Sequence, residues 1–286
     1  MKEQITNSWT EVITPKTKLF DLRLKEVWRY RDLMLLFVKR DMAAQYRQTI
    51  LGPVWHVIQP VFTTIMFLVV FNRIAGISTD GLPATAFYMS GITIWNYFAT
   101  CLTATSATFT SNANIFGKVY FPRLVLPLST VLSNMAKFGI QMGLLFLIII
   151  WLVITGQYQF HFGLHNLLLP VIVVIMALLG LGLGIVISSL TTKYRDLNIL
   201  IGFGVNLLMY ITPVPYPLSY LKTKGYAAYV LWNPLSSLIE GFRYALFGVG
   251  SFDIFYFLYS IIFTAVIVTI GMILFNSVEK RFMDTV

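Results

Sequence analysis

Side chains able to do chemistry are few in this chain, and they are widely spaced. Glu240 and Arg243 stand one turn apart in a predicted helix, the spacing of an ion pair and also the best available acid–base set for a transferase at a membrane face. His161 and His165 are at i, i+4, which a metal could use, but no Cys or carboxylate stands near them. Lys137 is the one basic residue well inside an apolar run, and Cys101, the single cysteine, lies inside another, which excludes an internal disulfide. The only Gly-Lys pair, Gly117-Lys118, is followed by Val119 and not by Ser or Thr, so the phosphate-cradling loop of nucleotide hydrolases is missing. No Asp or Glu falls within any of the long apolar runs, and a proton-coupled carrier typically needs such acids. We expect no catalytic residue, metal or cofactor in this chain, and energy supplied by a partner.

The elements that must hold these residues are membrane helices. Hydrophobic residues make up 57% of the chain and charged ones 12%, against roughly half and a quarter in soluble domains. The net charge of +9 speaks of topology and not of nucleic acid, because the basic residues crowd into the first fifty positions and the margins of apolar runs. No secretory signal is visible. Residues 1–15 read as a polar tail and 16–50 as an amphipathic basic helix at the cytoplasmic interface, broken once. Its apolar block Leu33 to Val38 is about 9 Å of helix and cannot cross a hydrocarbon core of roughly 30 Å. Residues 51–286 read as an all-α domain of six spans, about 51–71, 85–109, 124–154, 167–190, 197–214 and 254–275. Lys and Arg are concentrated in the N-terminal segment, the 116–123 loop, the 191–196 loop and the C-terminal tail, which predicts both termini in the cytoplasm. Between the fifth and sixth spans, Pro213, Pro215 and Pro217 forbid a helix, while Asn233-Pro234 offers a cap and a proline start for a helix that Gly248 can end. A seventh span there would bury Glu240 and Arg243 in lipid, so short re-entrant or surface helices at the outer face, about 217–247, fit better.

Two patterns bear on passage through the membrane. Thr93, Asn96, Thr100, Thr103, Ala107, Thr110 and Asn114 recur every three or four residues and give the second span one small, polar face. It suits close helix packing and it suits the wall of a conduit. Aromatic residues, 15% of the chain, gather near span ends as interfacial belts do. Tyr88, Trp95, Tyr97 and Tyr210 could instead face an inner passage and offer flat sliding contacts to sugar rings. Lys137 must face a polar cavity or reach an interface. The helix from Phe138 to Ile154 is about 25 Å long by itself, which leaves Lys137 room to snorkel at the cytoplasmic rim.

Several motifs taken together resemble one family. They are Tyr46-Arg47-Gln48-Thr49 leading into Leu51-Gly52-Pro53-Val54-Trp55 and Gln59-Pro60; Phe121-Pro122-Arg123 with Leu126-Pro127; Tyr194-Arg195-Asp196; Thr212-Pro213-Val214-Pro215-Tyr216-Pro217; and Asn233-Pro234 with Glu240-Gly241-Phe242-Arg243. From Lys39 onward the chain resembles the permease subunits of ABC exporters for bacterial surface polysaccharides, a group that includes O-antigen, capsule and teichoic-acid exporters. The resemblance implies a homodimer in the bacterial inner membrane, working with two copies of a nucleotide-binding ATPase that holds the ATP and Mg. It implies a lipid-linked glycan, O-antigen foremost, moving through a channel at the dimer axis. It assigns Asn114, Ile115, Phe116, Gly117, Lys118, Val119, Tyr120 and Phe121 to a coupling helix gripped by the ATPase. Pro217, Tyr220, Asn233, Pro234, Glu240 and Arg243 fall to an outer gate. Tyr88, Thr93, Trp95, Asn96, Tyr97, Thr100, Thr103 and Tyr210 are the candidates for the channel lining. A lipid or drug exporter of the same architecture is the alternative within transport.

Overall fold

The computed structural model describes residues 24–46, 52–112, 115, 121–159, 162–191 and 196–282, and among them every regular element is helical. An amphipathic pair comes first: α1 (Leu24–Arg29), then α2 (Arg31–Tyr46), with the break at Tyr30. Val27 and Phe37 turn inward, and Phe37 meets Phe121 at 5.7 Å. Trp28, Leu35 and Leu36 stay exposed beside exposed Lys25, Arg29 and Lys39, as expected of a helix lying in a membrane interface.

The long helices follow. α3 (Trp55–Phe67) continues as a π-helical stretch, Leu68–Ile74, and carries Pro60 inside it. α4 spans Ala84–Ser106, and after a break at Ala107 comes the short α5 (Thr108–Ser111). α6 is Val125–Ile154, α7 Leu168–Thr191 and α8 Leu197–Ile211. Three shorter helices, α9 (Leu218–Thr223), α10 (Ala227–Leu231) and α11 (Pro234–Phe247), precede α12 (Ile254–Phe282). Among the described residues, four helical stretches are long and apolar enough to cross a membrane: Trp55–Ile74, Val125–Ile154, Leu164–Thr191 and Ile254–Val278. α8 is apolar but short, and α4 is long enough but less apolar. This is a multi-pass membrane protein.

The reason for α4's low apolarity is its place. It is the central helix, packed against α3, α6, α7, α8 and α11, and it contributes no side chain to the protein's exposed large apolar surface. Small residues make the packing possible. A methyl at Gly180 would come within 2.9 Å of Cys101 Cβ, and one at Gly184 within 2.6 Å of Thr105 Cβ, so α7 lies backbone-close along α4. Gly182 faces α12 in the same way, where a methyl would come within 3.1 Å of Val268 Cα, and a methyl on Gly271 of α12 would come within 2.9 Å of the Gly182 carbonyl oxygen. Ser188 Oγ takes the Phe109 amide at 3.4 Å, and Phe109 stacks on Phe275 at 4.6 Å. α4, α7 and α12 therefore run parallel.

α6 runs the other way. Asn134 donates to the Thr100 carbonyl at 3.2 Å, and Phe138 lies 4.7 Å from Tyr97. α3 is also antiparallel to α4, with Thr64 donating to Met89 Sδ and Phe67 beside Tyr88. α8 leaves from the level of Thr191 and ends next to Val214, whose carbonyl lies 3.4 Å from a methyl built on Gly91.

The polar face expected to run along the second span as far as residue 114 is interrupted at Ala107. Ser106, Thr110 and Asn112 return their side chains to backbone carbonyls of the preceding turn, which bends helices, while the Phe109 amide goes to α7.

Candidate functional site

At one end of the bundle, the segment joining α8 to α9 is non-helical, as its three prolines require, and α11 fastens it down. Asn233 caps α11 by accepting from the Leu235 amide at 3.1 Å, Pro234 fills the first turn, and Gly248 ends the helix at φ 70°. Asn233 also donates to Thr212 Oγ1 at 3.0 Å. Arg243 and Glu240 are both buried. Arg243 Nη1 donates to the Pro213 carbonyl at 2.7 Å and to Glu240 Oε1 at 3.1 Å, Nη2 donates to the Val214 carbonyl at 2.8 Å, and the guanidinium carbon sits 3.7 Å from the centre of the Phe87 ring. Glu240 Oε1 also accepts from the Leu218 amide at 3.4 Å, the first residue of α9. Ser219 in α9 donates to the Asp80 carboxylate on the loop before α4.

A buried pair is stabilised when its remaining lone pairs and N–H groups find partners; here the two terminal guanidinium nitrogens bond main-chain carbonyls of the turn, while Nε has no partner among the described residues. The arrangement is a clasp that joins α4, the proline turn, α9 and α11. It offers no accessible acid or base. Burial pushes two phenols at this end, Tyr158 and Tyr216, above the usual tyrosine range; they donate to the carbonyls of Phe247 and Tyr210 respectively. His165 packs against Tyr244 and Gly248, and His161 lies outside the described residues. Among the described residues no group of three or more His, Cys, Asp or Glu converges as a metal site would.

The outer-gate candidates thus divide. Pro217, Asn233, Pro234, Glu240 and Arg243 belong to the fastening, and Pro217, Glu240 and Arg243 are buried within it. Tyr220 is open at the surface, beside Lys224. α11, predicted as a re-entrant or surface helix, is a buried one that enters beside Thr212 and leaves beside Tyr158 and Asn166, at the same end of the bundle.

The channel-lining candidates divide as well. Tyr88, Thr93, Trp95 and Tyr97 are buried inside the subunit. Thr93 and Tyr88 keep hydroxyls without a hydrogen-bond partner there. Asn96, Thr100 and Thr103 are partly open, and with Ala99, Ala104 and Ala107 they form a strip along α4 that holds only small or polar side chains. Thr100 and Thr103 return their hydroxyls to the Asn96 and Ala99 carbonyls at 2.7 Å. Tyr210 lies apart on α8, half exposed. α8 itself is held loosely: Val205 is its one buried side chain among the described residues.

Of the coupling stretch, Asn114 and residues 116–120 lie outside the described residues. Ile115 donates its amide to Asn112. Phe121 is buried in a cluster with Val27, Phe37, Val125 and Phe275, where Ile115 also packs. The exit of that stretch is therefore in direct contact with the interfacial helix pair.

Sequence reasoning passed over two features. The Gly180-x-x-x-Gly184 pair is legible as a small-residue packing motif. Gly91 carries no such signal. It is needed because a methyl there would meet Arg243 Nη2 at 2.5 Å.

Known proteins resemble this chain in sequence along most of its length. An O-antigen export system permease protein, RfbA, of Klebsiella pneumoniae is 28% identical over 259 residues, which is 88% of this chain and 94% of that one. The protein of the same name from Myxococcus xanthus is 27% identical over 222 residues, 77% of this chain and 82% of the other. The polysialic acid transport protein KpsM of Escherichia coli is 21% identical over 250 residues, 86% and 93% of the two chains. Residues 32–247 match the ABC-2 type transporter family, and the chain belongs to that family.

Proposed function

We propose that this chain is the membrane permease of an ATP-driven exporter of bacterial surface polysaccharide, with lipid-linked O-antigen as the foremost cargo. One observation carries the reading. Every other long helix turns large apolar side chains outward, such as Phe146, Leu147 and Ile150 on α6 or Phe203 and Leu207 on α8. The open strip of α4 has none. A strip of Asn, Thr and Ala gains nothing from lipid and suits a hydrated wall. The loosely held, apolar α8 adjoins α4 and is suited to cover by a second copy, so that two strips would face each other across a common passage.

On this reading α4 and α8 also cross the membrane, giving six alternating passes in the inner membrane with both termini cytoplasmic. ATP and Mg belong to two partner ATPase subunits, and residues 114–121 form the coupling helix. The relatives named for O-antigen export favour that cargo; the relative named for polysialic acid transport keeps a capsular glycan as the alternative.

The test is a deletion strain. Surface glycan is lost, lipid-linked glycan accumulates at the inner leaflet, and the tagged permease copurifies with an ATPase. Complementation with Val119→Asp leaves a folded permease that does not export. Normal surface glycan in the deletion strain, or full export by Val119→Asp, refutes the export role or the coupling assignment respectively.

A further inference from the structure

The short helix α10 turns one row of aromatic side chains away from the protein. Tyr226, Tyr229 and Trp232 recur at every third residue, on one helical side, and are 61%, 80% and 62% exposed, while Val230 is buried. Between Asp196 and Glu240 the chain has no acidic residue. Lys222, in the last turn of α9, and Lys224, just after it, are both exposed. Neither pairs with a carboxylate among the described residues, and Lys224 rests over the Tyr220 ring at 5.9 Å.

The neighbour of the row shows what covers it. Tyr259 of α12 donates its hydroxyl to the Trp232 carbonyl at 3.2 Å, and the two rings meet edge to face at 5.6 Å. α12 is long and apolar enough to cross a membrane, and its Phe255, Leu258, Ile262 and Val266 are half or more exposed, a face that suits lipid. The stretch Ile254–Val278 is about 37 Å long at helical rise, against a hydrocarbon core of roughly 30 Å, and Tyr259 stands about 8 Å from its start. Trp232 therefore continues the lipid-facing surface at the edge of the hydrocarbon. Trp and Tyr favour that level because their rings are apolar and their N–H and O–H tips are not.

We propose that α10 and the turn before it dock on anionic phospholipid in the leaflet at the clasp end of the bundle, the outer leaflet on the export reading. The aromatic row seats in the headgroup layer, and the ammonium groups of Lys222 and Lys224 bind lipid phosphate through charge-assisted hydrogen bonds. Two lysines with no acid in their own segment complement a negative surface. The inference goes beyond the export reading and does not depend on the cargo. Its consequence is mechanical. The same hairpin gives the Leu218 amide to Glu240 and the Ser219 hydroxyl to Asp80, so lipid contact at α10 steadies the segment on which the clasp closes.

The test uses the full-length permease in nanodiscs with a bimane label at Tyr229→Cys, a surface position; Cys101 is 0% exposed and stays unlabelled. Leu258→Cys on the exposed face of α12 is the lipid-facing standard. Phosphatidylcholine carrying a doxyl group high on its acyl chain quenches the Tyr229→Cys label at least about half as strongly as the standard, and iodide quenches it weakly. Moving the doxyl group to phosphatidylglycerol at equal mole fraction deepens the quenching by about twofold or more. Joint Lys222→Gln and Lys224→Gln, or about 0.5 M salt, removes that gain and leaves quenching by phosphatidylcholine unchanged. Joint Lys222→Arg and Lys224→Arg retains it.

Quenching by iodide in place of doxyl lipid overturns the docking, because the row would then meet water. A label shielded from both quenchers overturns it too, because protein, a second copy included, would then cover the row. An undiminished gain from phosphatidylglycerol in the double Gln variant overturns the phosphate contact.

Discussion

The Arg243 clasp can be opened one atom at a time, and its strength is readable through Val214. That residue is 0% exposed and its carbonyl is one of the two that Arg243 holds. A Val214→Cys variant nearly conserves volume and places a thiol where a labelling reagent reaches it only after the turn lifts away from α4 and α11. Cys101 is equally inaccessible and is resolved from the new thiol by peptide mass.

In that background Arg243→Met removes the bonds to both carbonyls and to Glu240 and leaves a buried carboxylate unpaired. Breaking a buried pair from one side costs about 3–5 kcal/mol. Were all of that cost expressed in local opening, labelling would quicken by about two to three and a half powers of ten at 1.4 kcal/mol per decade. Glu240→Gln is gentler, since the amide oxygen still accepts from Arg243 and Leu218 and the guanidinium keeps Phe87 and both carbonyls. The bonds remain but lose the charge on their acceptor, so the whole value of a hydrogen bond to a charged group, about 1.5–3 kcal/mol, is the upper bound and labelling quickens by no more than about ten- to hundredfold. Gly91→Ala drives a methyl to within 2.5 Å of Arg243 Nη2 and quickens labelling without altering either charged residue. Rates within threefold of the parent for Arg243→Met, or Glu240→Gln exceeding Arg243→Met, would refute the clasp.

Two further outcomes follow from packing and exposure. Gly184→Ala brings Cβ within 2.6 Å of Thr105 and 2.9 Å of the Leu102 carbonyl, an overpacking on the order of 1–3 kcal/mol; the variant unfolds at lower denaturant than wild type, whereas Gly202→Ala, where a methyl meets nothing within 4 Å, does not. If the α4 strip lines the proposed passage, Thr103→Cys reacts in the membrane with a charged, membrane-impermeant thiol reagent and Leu147→Cys, on the apolar outer face of α6, does not. Reversal of that order would place the strip against lipid and remove the passage.

What the sequence disclosed depended on whether a residue's role is local. The proline turn after α8, the Asn233-Pro234 start of α11 and its Gly248 stop are written in backbone restrictions of single residues, so their types and positions announce them. The burial of Arg243 is not local. Its partners Phe87 and Gly91 on α4 and Pro213 and Val214 in the turn come from two separate parts of the chain, and only folding brings them to one point with Arg243. Avoiding lipid argued against a seventh span, yet it left a surface helix open. The alternative that the chain uses, burial of the pair in protein with main-chain carbonyls as acceptors, depends on where the proline turn folds back.

The same distinction explains α4 and Lys137. A helix that faces lipid must advertise it in apolar side chains, and α6, α7 and α12 do. A helix wrapped by other helices is free of that demand, so α4 can combine a packed side, where Cys101 and Thr105 meet the glycines of α7, with an open side of Asn96, Thr100 and Thr103. Its polar periodicity therefore recorded two functions on adjoining faces, packing and exposure, which spacing alone could not divide. For Lys137 the length of α6 allowed a rim position, but the neighbours decide its meaning. Asn134 accepts from the ammonium and is itself tied to α4 through the Thr100 carbonyl, and Arg40 has already taken Asp41. Asn134→Leu removes the one bonded partner of Nζ among the described residues and a tie from α6 to the Thr100 carbonyl, so it unfolds at lower denaturant than wild type, while Lys137→Gln, which keeps that tie, unfolds closer to wild type.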